Sequence, residues 1–189
     1  MSENAACDIV VMGVSGTGKT TVGSRLAERL GLPFAEGDDF HSDEARRKMA
    51  SGTPLTDDDR WPWLRRLRGW MDIQNSSGGH GCVVSCSALR RAYRDVLRVS
   101  PGSVYFCDLE ADEQTLRSRM THRPGHYMPV SLLKSQLATL EPLQAGELGL
   151  SVPATGAPQE TVAALYDWLA AHRAIPQEMP EPAQITPRA

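Results

Sequence analysis

Short apolar runs alternating with amphipathic helical segments predict an α/β fold, a parallel sheet covered by helices on both faces. Two observations carry most of this expectation. The run Asp8-Ile9-Val10-Val11-Met12 ends at a glycine, as a central strand buried on both faces would. Directly after it, Gly13-Val14-Ser15-Gly16-Thr17-Gly18-Lys19-Thr20 fills every fixed position of GxxxxGK[ST], and an amphipathic segment follows.

The remaining elements follow in order. Lys19 to Leu30 carries Val22, Leu26 and Leu30 at helical spacing, with Gly31 placed to stop the helix. Pro33-Phe34-Ala35 suggests a second short strand. Trp63, Leu67 and Trp70 form a helical apolar stripe, with Pro62 expected in its first turn. Strand-like runs return at Cys82–Cys86 and Ser103–Cys107, each followed by a helical pattern. Val130, Leu133, Leu137 and Leu140 mark another helix, and Val162, Leu165, Tyr166 and Leu169 the last. This predicts one domain over 1–173. From 174 to 189, Pro176, Pro180, Pro182 and Pro187 predict a flexible proline-rich tail.

A chain of 189 residues is long enough to bury roughly two-thirds of its unfolded surface. With 41% hydrophobic and 23% charged residues it has the balance of a soluble globular protein. No run of about 18 apolar residues offers a membrane span, and the N-terminus lacks a basic segment followed by an apolar stretch. The expectation is a cytoplasmic protein without a membrane partner. A net charge of −3 disfavours a nucleic-acid binder, so any anionic ligand must be held by local positive charge. Cys7, Cys82, Cys86 and Cys107 show no zinc-like spacing. The last three sit in strand-like runs and read as buried and reduced. The sequence leaves a homodimer open.

The octet from Gly13 to Thr20 specifies nucleotide binding. Its glycines let successive N–H groups turn inward around phosphate oxygens, and the helix N-terminus adds partial positive charge. Lys19 can reach the β- and γ-phosphates of ATP, and the Thr20 hydroxyl can ligate the bridging Mg2+. GTPases, ATPases and switches share this cradle, so the acceptor side must decide the reaction. There, Glu36-Gly37-Asp38-Asp39-Phe40-His41 follows the second strand, on the side where doubly wound sheets bind ligands. Carboxylates at that point can accept an acceptor proton or support magnesium through water. Asp38, Asp39 and His41 are otherwise a solvated helix cap. Asp57-Asp58-Asp59 reads as a solvated helix N-terminus, whereas Arg60 offers a fork suited to a substrate carboxylate. Arg94, after the third strand, is a candidate for substrate or for a solvated helix face. Trp61 and Trp63 read as packing.

GVSGTGKT, EGDDFH, KM-x-x-G-x-PLTDDDRWPWL, CSALRRAYRDVLR and RPGHYM, in that order, resemble the gluconokinases of the shikimate-kinase-like group. The likeness runs from about residue 9 to 147. It implies a P-loop NTPase three-layer sandwich, a five-stranded parallel sheet flanked by helices, with a mobile lid over about 119–128. The implied reaction is ATP-dependent phosphorylation of D-gluconate to 6-phospho-D-gluconate. Another small polyol-acid kinase, shikimate kinase included, shares every argument except pocket detail, and a non-catalytic nucleotide-binding regulator is the alternative from another class. The chain departs from the family in having His41-Ser42-Asp43-Glu44-Ala45 where relatives often show His-Pro-x-x-Asn, and Glu36 where many have aspartate. The resemblance further implies Glu36 near magnesium, Asp38 on the acceptor hydroxyl and Arg60 on its carboxylate. In the lid, Arg119 and Arg123 would offset charge on the transferring phosphoryl group, with His126 beside the substrate.

Overall fold

The computed structural model describes residues 7–76, 80–99, 103–121 and 131–172. The expected tail, and residues 122–128 of the expected lid with Arg123 and His126, lie outside them. Five parallel strands form one sheet in the order β2-β3-β1-β4-β5: β1 (Cys7–Met12), β2 (Phe34–Glu36), β3 (Val83–Ser85), β4 (Ser103–Glu110) and β5 (Gly149–Pro153). The helices are α1 (Lys19–Leu30), α2 (Asp43–Ala50), α3 (Asp57–Ser76), α4 (Arg91–Arg98), α5 (Glu113–Thr121), α6 (Ser131–Thr139) and α7 (Pro158–Ala171).

Strand alternation divides the core into two layers. Ile9 and Val11 face α1 and α7, where Leu26, Leu30, Leu165 and Leu169 pack against them. Val10 and Met12 face α3 and α4, against Trp63, Leu64, Leu67 and Leu97. All six residues of β1 are buried, as expected for the central strand. The four cysteines are free and buried, and burial pushes the Cys7 and Cys86 thiols up to about 12.

Two expectations needed correction. Pro62 lies at the sixth residue of α3, beyond the first turn. The helix starts earlier because Asp59 Oδ2 accepts from the Thr56 N–H at 2.9 Å and the Thr56 hydroxyl at 3.0 Å, fixing the N-terminus ahead of the proline. The run Asp57–Asp59 is also more than a solvated face. Asp59 pairs with Lys48 Nζ at 2.7 Å, tying α2 to α3, and this bond with Lys48 is the main cause holding the Asp59 carboxyl down to about 2. Asp57 accepts from Tyr93 and Arg90 on and before α4.

Candidate active site

Because all five strands run parallel, their carboxyl ends share one rim, and the site is built there. Between β1 and α1 the loop 13–18 turns back on itself. Gly13 adopts φ +130°, and a Cβ on it would lie 2.8 Å from the Leu109 carbonyl, so only glycine fits. The Thr17 hydroxyl and Lys19 Nζ both donate to the Val14 carbonyl, at 2.9 and 3.0 Å, folding the lysine over the loop. Val14 itself is buried against Leu89, Leu116 and Met120, which anchors the loop to α5.

At the start of α1, Thr20 Oγ1 donates to Glu36 Oε2 at 2.5 Å, and Ser85 Oγ donates to the other carboxylate oxygen. The ends of β2 and β3 thereby meet the phosphate loop in an all-oxygen cluster. Hard Mg2+ prefers such oxygen donors and commonly takes one or two carboxylates alongside phosphate oxygens and water. The donor set fits that ion. Among the described residues there is no group of three or more His, Cys, Asp and Glu able to cage a metal by themselves.

A cleft opens beside the loop, and Ser15, Lys19, Asp38, His41 and Arg60 all border it. Asp38 stands on the short 3-10 turn Gly37–Phe40 after β2. That turn is pressed against β3, because a Cβ on Gly37 would fall 2.2 Å from the Ser85 carbonyl. The Gly37 carbonyl accepts from Trp63 Nε1 at 2.7 Å. Trp63 is buried, as its packing reading required, and it also stacks on His41 with ring centroids 4.2 Å apart. His41 Nε2 lies 3.8 Å from Asp38 Oδ1, and its buried Nδ1 has no hydrogen-bond partner among the described residues. Burial lowers the His41 pKa from its ordinary 6.5 to about 4. Asp38 opposes this shift, while Arg46, Arg66 and Arg60 add to it. The imidazole is therefore neutral near pH 7.

Arg60 is only partly exposed and is oriented before any acceptor arrives. Its Nη1 donates to the Tyr93 hydroxyl at 3.1 Å and lies 3.7 Å from Asp57. Tyr93 in turn donates to Asp57 at 2.6 Å. This Arg60–Tyr93–Asp57 chain was not anticipated. The only sequence trace of Tyr93 was its place in an arginine-rich segment after the third strand. Asp39 borders an outer groove with Asp38, Arg46 and Arg47 but does not line the cleft. Arg119 borders a second recess on the far side of the loop, with Gly16, Gly18 and the β5–α7 turn at Ala154 and Gly156. Pro153, Gly156 and Pro158 mark that turn in the sequence, but no motif there points to a nucleotide.

The structure removes Arg94 from the candidates for substrate binding. Its side chain and that of Glu147 are wholly buried, joined by Nε–Oε1 at 2.7 Å and Nη2–Oε2 at 2.9 Å. Its other donors go to the Ala88, Glu141 and Pro142 carbonyls. Burial alone would raise the Glu147 pKa, but the bonds from Arg94 outweigh it and hold the carboxyl low. Arg94 is neither a substrate ligand nor a solvated side chain; it fastens α4 to the segment leading into β5.

The family model described as an AAA domain matches residues 9–129. A gluconokinase from Gluconobacter oxydans is 51% identical over 133 residues, 70% of this chain and 74% of that protein. A solved sugar kinase from a Janibacter species superposes with a TM-score of 0.84 at 47% identity, covering 89% of this chain and 97% of the other. A solved gluconokinase from Sinorhizobium meliloti gives 0.79 at 46% identity, covering 88% and 93%. With its five-stranded parallel sheet, complete phosphate loop and adjoining cleft, the chain belongs to the gluconokinase family of P-loop kinases.

Proposed function

We propose that this protein transfers the terminal phosphate of ATP to a hydroxyl of D-gluconate, releasing ADP and 6-phospho-D-gluconate. The observation that carries the reading is the single cleft shared by Lys19 and Ser15 of the phosphate loop and by Asp38, His41 and Arg60. Membership of a family whose relatives bear the name gluconokinase supports it.

The loop N–H groups and Lys19 hold the nucleotide phosphates. Mg2+ held through Thr20 and Glu36 would neutralise charge on the β- and γ-phosphates. Arg60, fixed by Tyr93, takes the acceptor carboxylate in its guanidinium fork. Asp38 accepts a hydrogen bond from the attacking hydroxyl, orienting it and receiving its proton as the bond to phosphorus forms. His41 contributes a neutral ring nitrogen to a hydroxyl farther along the acceptor. From the 119–128 segment, Arg119 and Arg123 would offset charge on the phosphoryl group in flight, with His126 beside the substrate.

A coupled assay of ADP release over a panel of sugar acids tests the reading. Turnover with gluconate well above turnover with shikimate and aldonate isomers is expected. Turnover confined to shikimate or another acid would move the acceptor assignment, and ATP consumption indifferent to every acid would end it.

A further inference from the structure

The phosphate loop touches two different spaces. Gly16, Thr17 and Gly18 border the recess beside Arg119, whereas Ser15 and Lys19 border the cleft with Asp38 and Arg60. Ser15 thus marks the seam at which a terminal phosphate would meet its acceptor. At this seam the Ser15 N–H donates to Gln136 Oε1 at 2.7 Å, although Gln136 lies 121 residues away on α6. Helix α6 is gripped from two sides. Leu132 packs with Ala45, Met49 and Leu55 beside the acceptor cleft, and Leu133 packs with Val14 and Leu116 beneath the loop. Gln136 also borders the cleft itself. With the amide oxygen placed on Ser15, the NH2 group becomes the other end of a planar unit whose orientation is set by the loop.

We propose that Gln136 is an acceptor-binding, specificity-determining residue whose NH2 donates to a hydroxyl of the polyol acid while its oxygen stays fastened to the phosphate loop. This rests on the kinase reading above. A flexible polyol acid presents several hydroxyls of similar reactivity, and only one can be in line with the phosphoryl group. Near-attack geometry requires reacting atoms about 3–3.5 Å apart. A neutral donor tied to the loop would measure the acceptor's position from the phosphate itself, so one hydroxyl is selected relative to the atom it must attack. A site that hydrogen-bonds a hydroxyl also rejects analogues lacking it, because the donor is then left unpaired.

Steady-state kinetics of the full chain with Gln136→Leu and Gln136→Glu test this. Glutamate keeps an oxygen for the Ser15 N–H but loses the NH2, and leucine loses both. Both variants should raise the gluconate KM by ~10- to 100-fold, the loss expected when one buried polar contact is removed. The ATP KM should stay within about twofold, and Gln136→Glu should keep the wild-type melting temperature. Across monodeoxy gluconates, the analogue the wild type disfavours most should lose its handicap in Gln136→Leu. A wild-type gluconate KM in both folded variants overturns the proposal. So does an equal loss for ATP and gluconate with a lowered melting temperature, which would make Gln136 a strut. A wild type inert with every sugar acid overturns the kinase reading, and this inference with it.

Discussion

Asp38 and Asp39 are adjacent carboxylates, yet only Asp38 borders the cleft that holds Lys19 and Arg60. Asp38→Asn keeps the shape but is a much poorer base. It should lose about 10²-fold in turnover or more, with ATP binding and melting temperature retained. Asp39→Asn should be mild, and the reverse ranking in the same assay would exchange their roles. His41 makes a different prediction, about stability. Its folded pKa of about 4 lies below the ordinary 6.5, so between those values the unfolded chain binds more protons than the folded one. Stability must then rise with pH across that window and fall as acid is added, by an amount on the order of 3 kcal/mol when complete. Melting temperatures of wild type and His41→Asn, measured from pH 7 to pH 4.5, should converge towards acid. Parallel curves would assign the acid sensitivity elsewhere.

At the level of elements, α4 is held by a buried charge pair where sequence reasoning offered a ligand or a solvated face. Arg94→Leu leaves the enclosed Glu147 carboxylate with only the Gln144 N–H at 2.9 Å and the longer Arg91 contact at 3.6 Å, which should cost up to about 3 kcal/mol. Replacing both with leucine should recover much of that loss in urea denaturation, and no recovery would mean that the carbonyl contacts of Arg94 matter more than the pair. The sequence was most legible where local chemistry decides the outcome. Helix α1 runs from Lys19 to Leu30 as its spacing indicates, because its apolar stripe and the αL cap at Gly31 are encoded within the element. It was least legible where partners lie far apart in the chain. Arg94 meets Glu147 53 residues on, Arg60 meets Tyr93 33 residues on, and no local pattern records either pairing. Strand β5 has a weak signal because its alternation, Leu150-Ser151-Val152, is only three residues long between a glycine and a proline.

For the molecule as a whole, the parallel sheet gathers on one rim groups drawn from separate strand ends: the loop after β1, Glu36 of β2 and Ser85 of β3. Glu36 joins two of these to the start of α1, so a metal bound there would link elements otherwise connected only through the core. Saturating ATP with Mg2+, at about 100 times its Kd, should stabilise the fold by about 2.7 kcal/mol. That corresponds to a rise in melting temperature of roughly 5–10 °C for a domain of this size. Excess EDTA should remove most of the rise, and Glu36→Gln should blunt it. A shift untouched by EDTA would exclude this carboxylate from metal binding.

The stacking of Trp63 on His41 also gives the protein an optical consequence. An indole sealed in the core, bonded to the Gly37 carbonyl and in face contact with a cleft-lining imidazole, is a built-in fluorophore beside the acceptor. Indole emission responds to the charge and orientation of a stacked imidazole. Filling the cleft, or protonating His41 towards pH 4, should therefore change the colour and yield of that light. Acceptor binding should be readable by titration with no label and no turnover. The signal should vanish in Trp63→Phe and persist in Trp168→Phe, whose ring stacks instead on His172 at the end of α7.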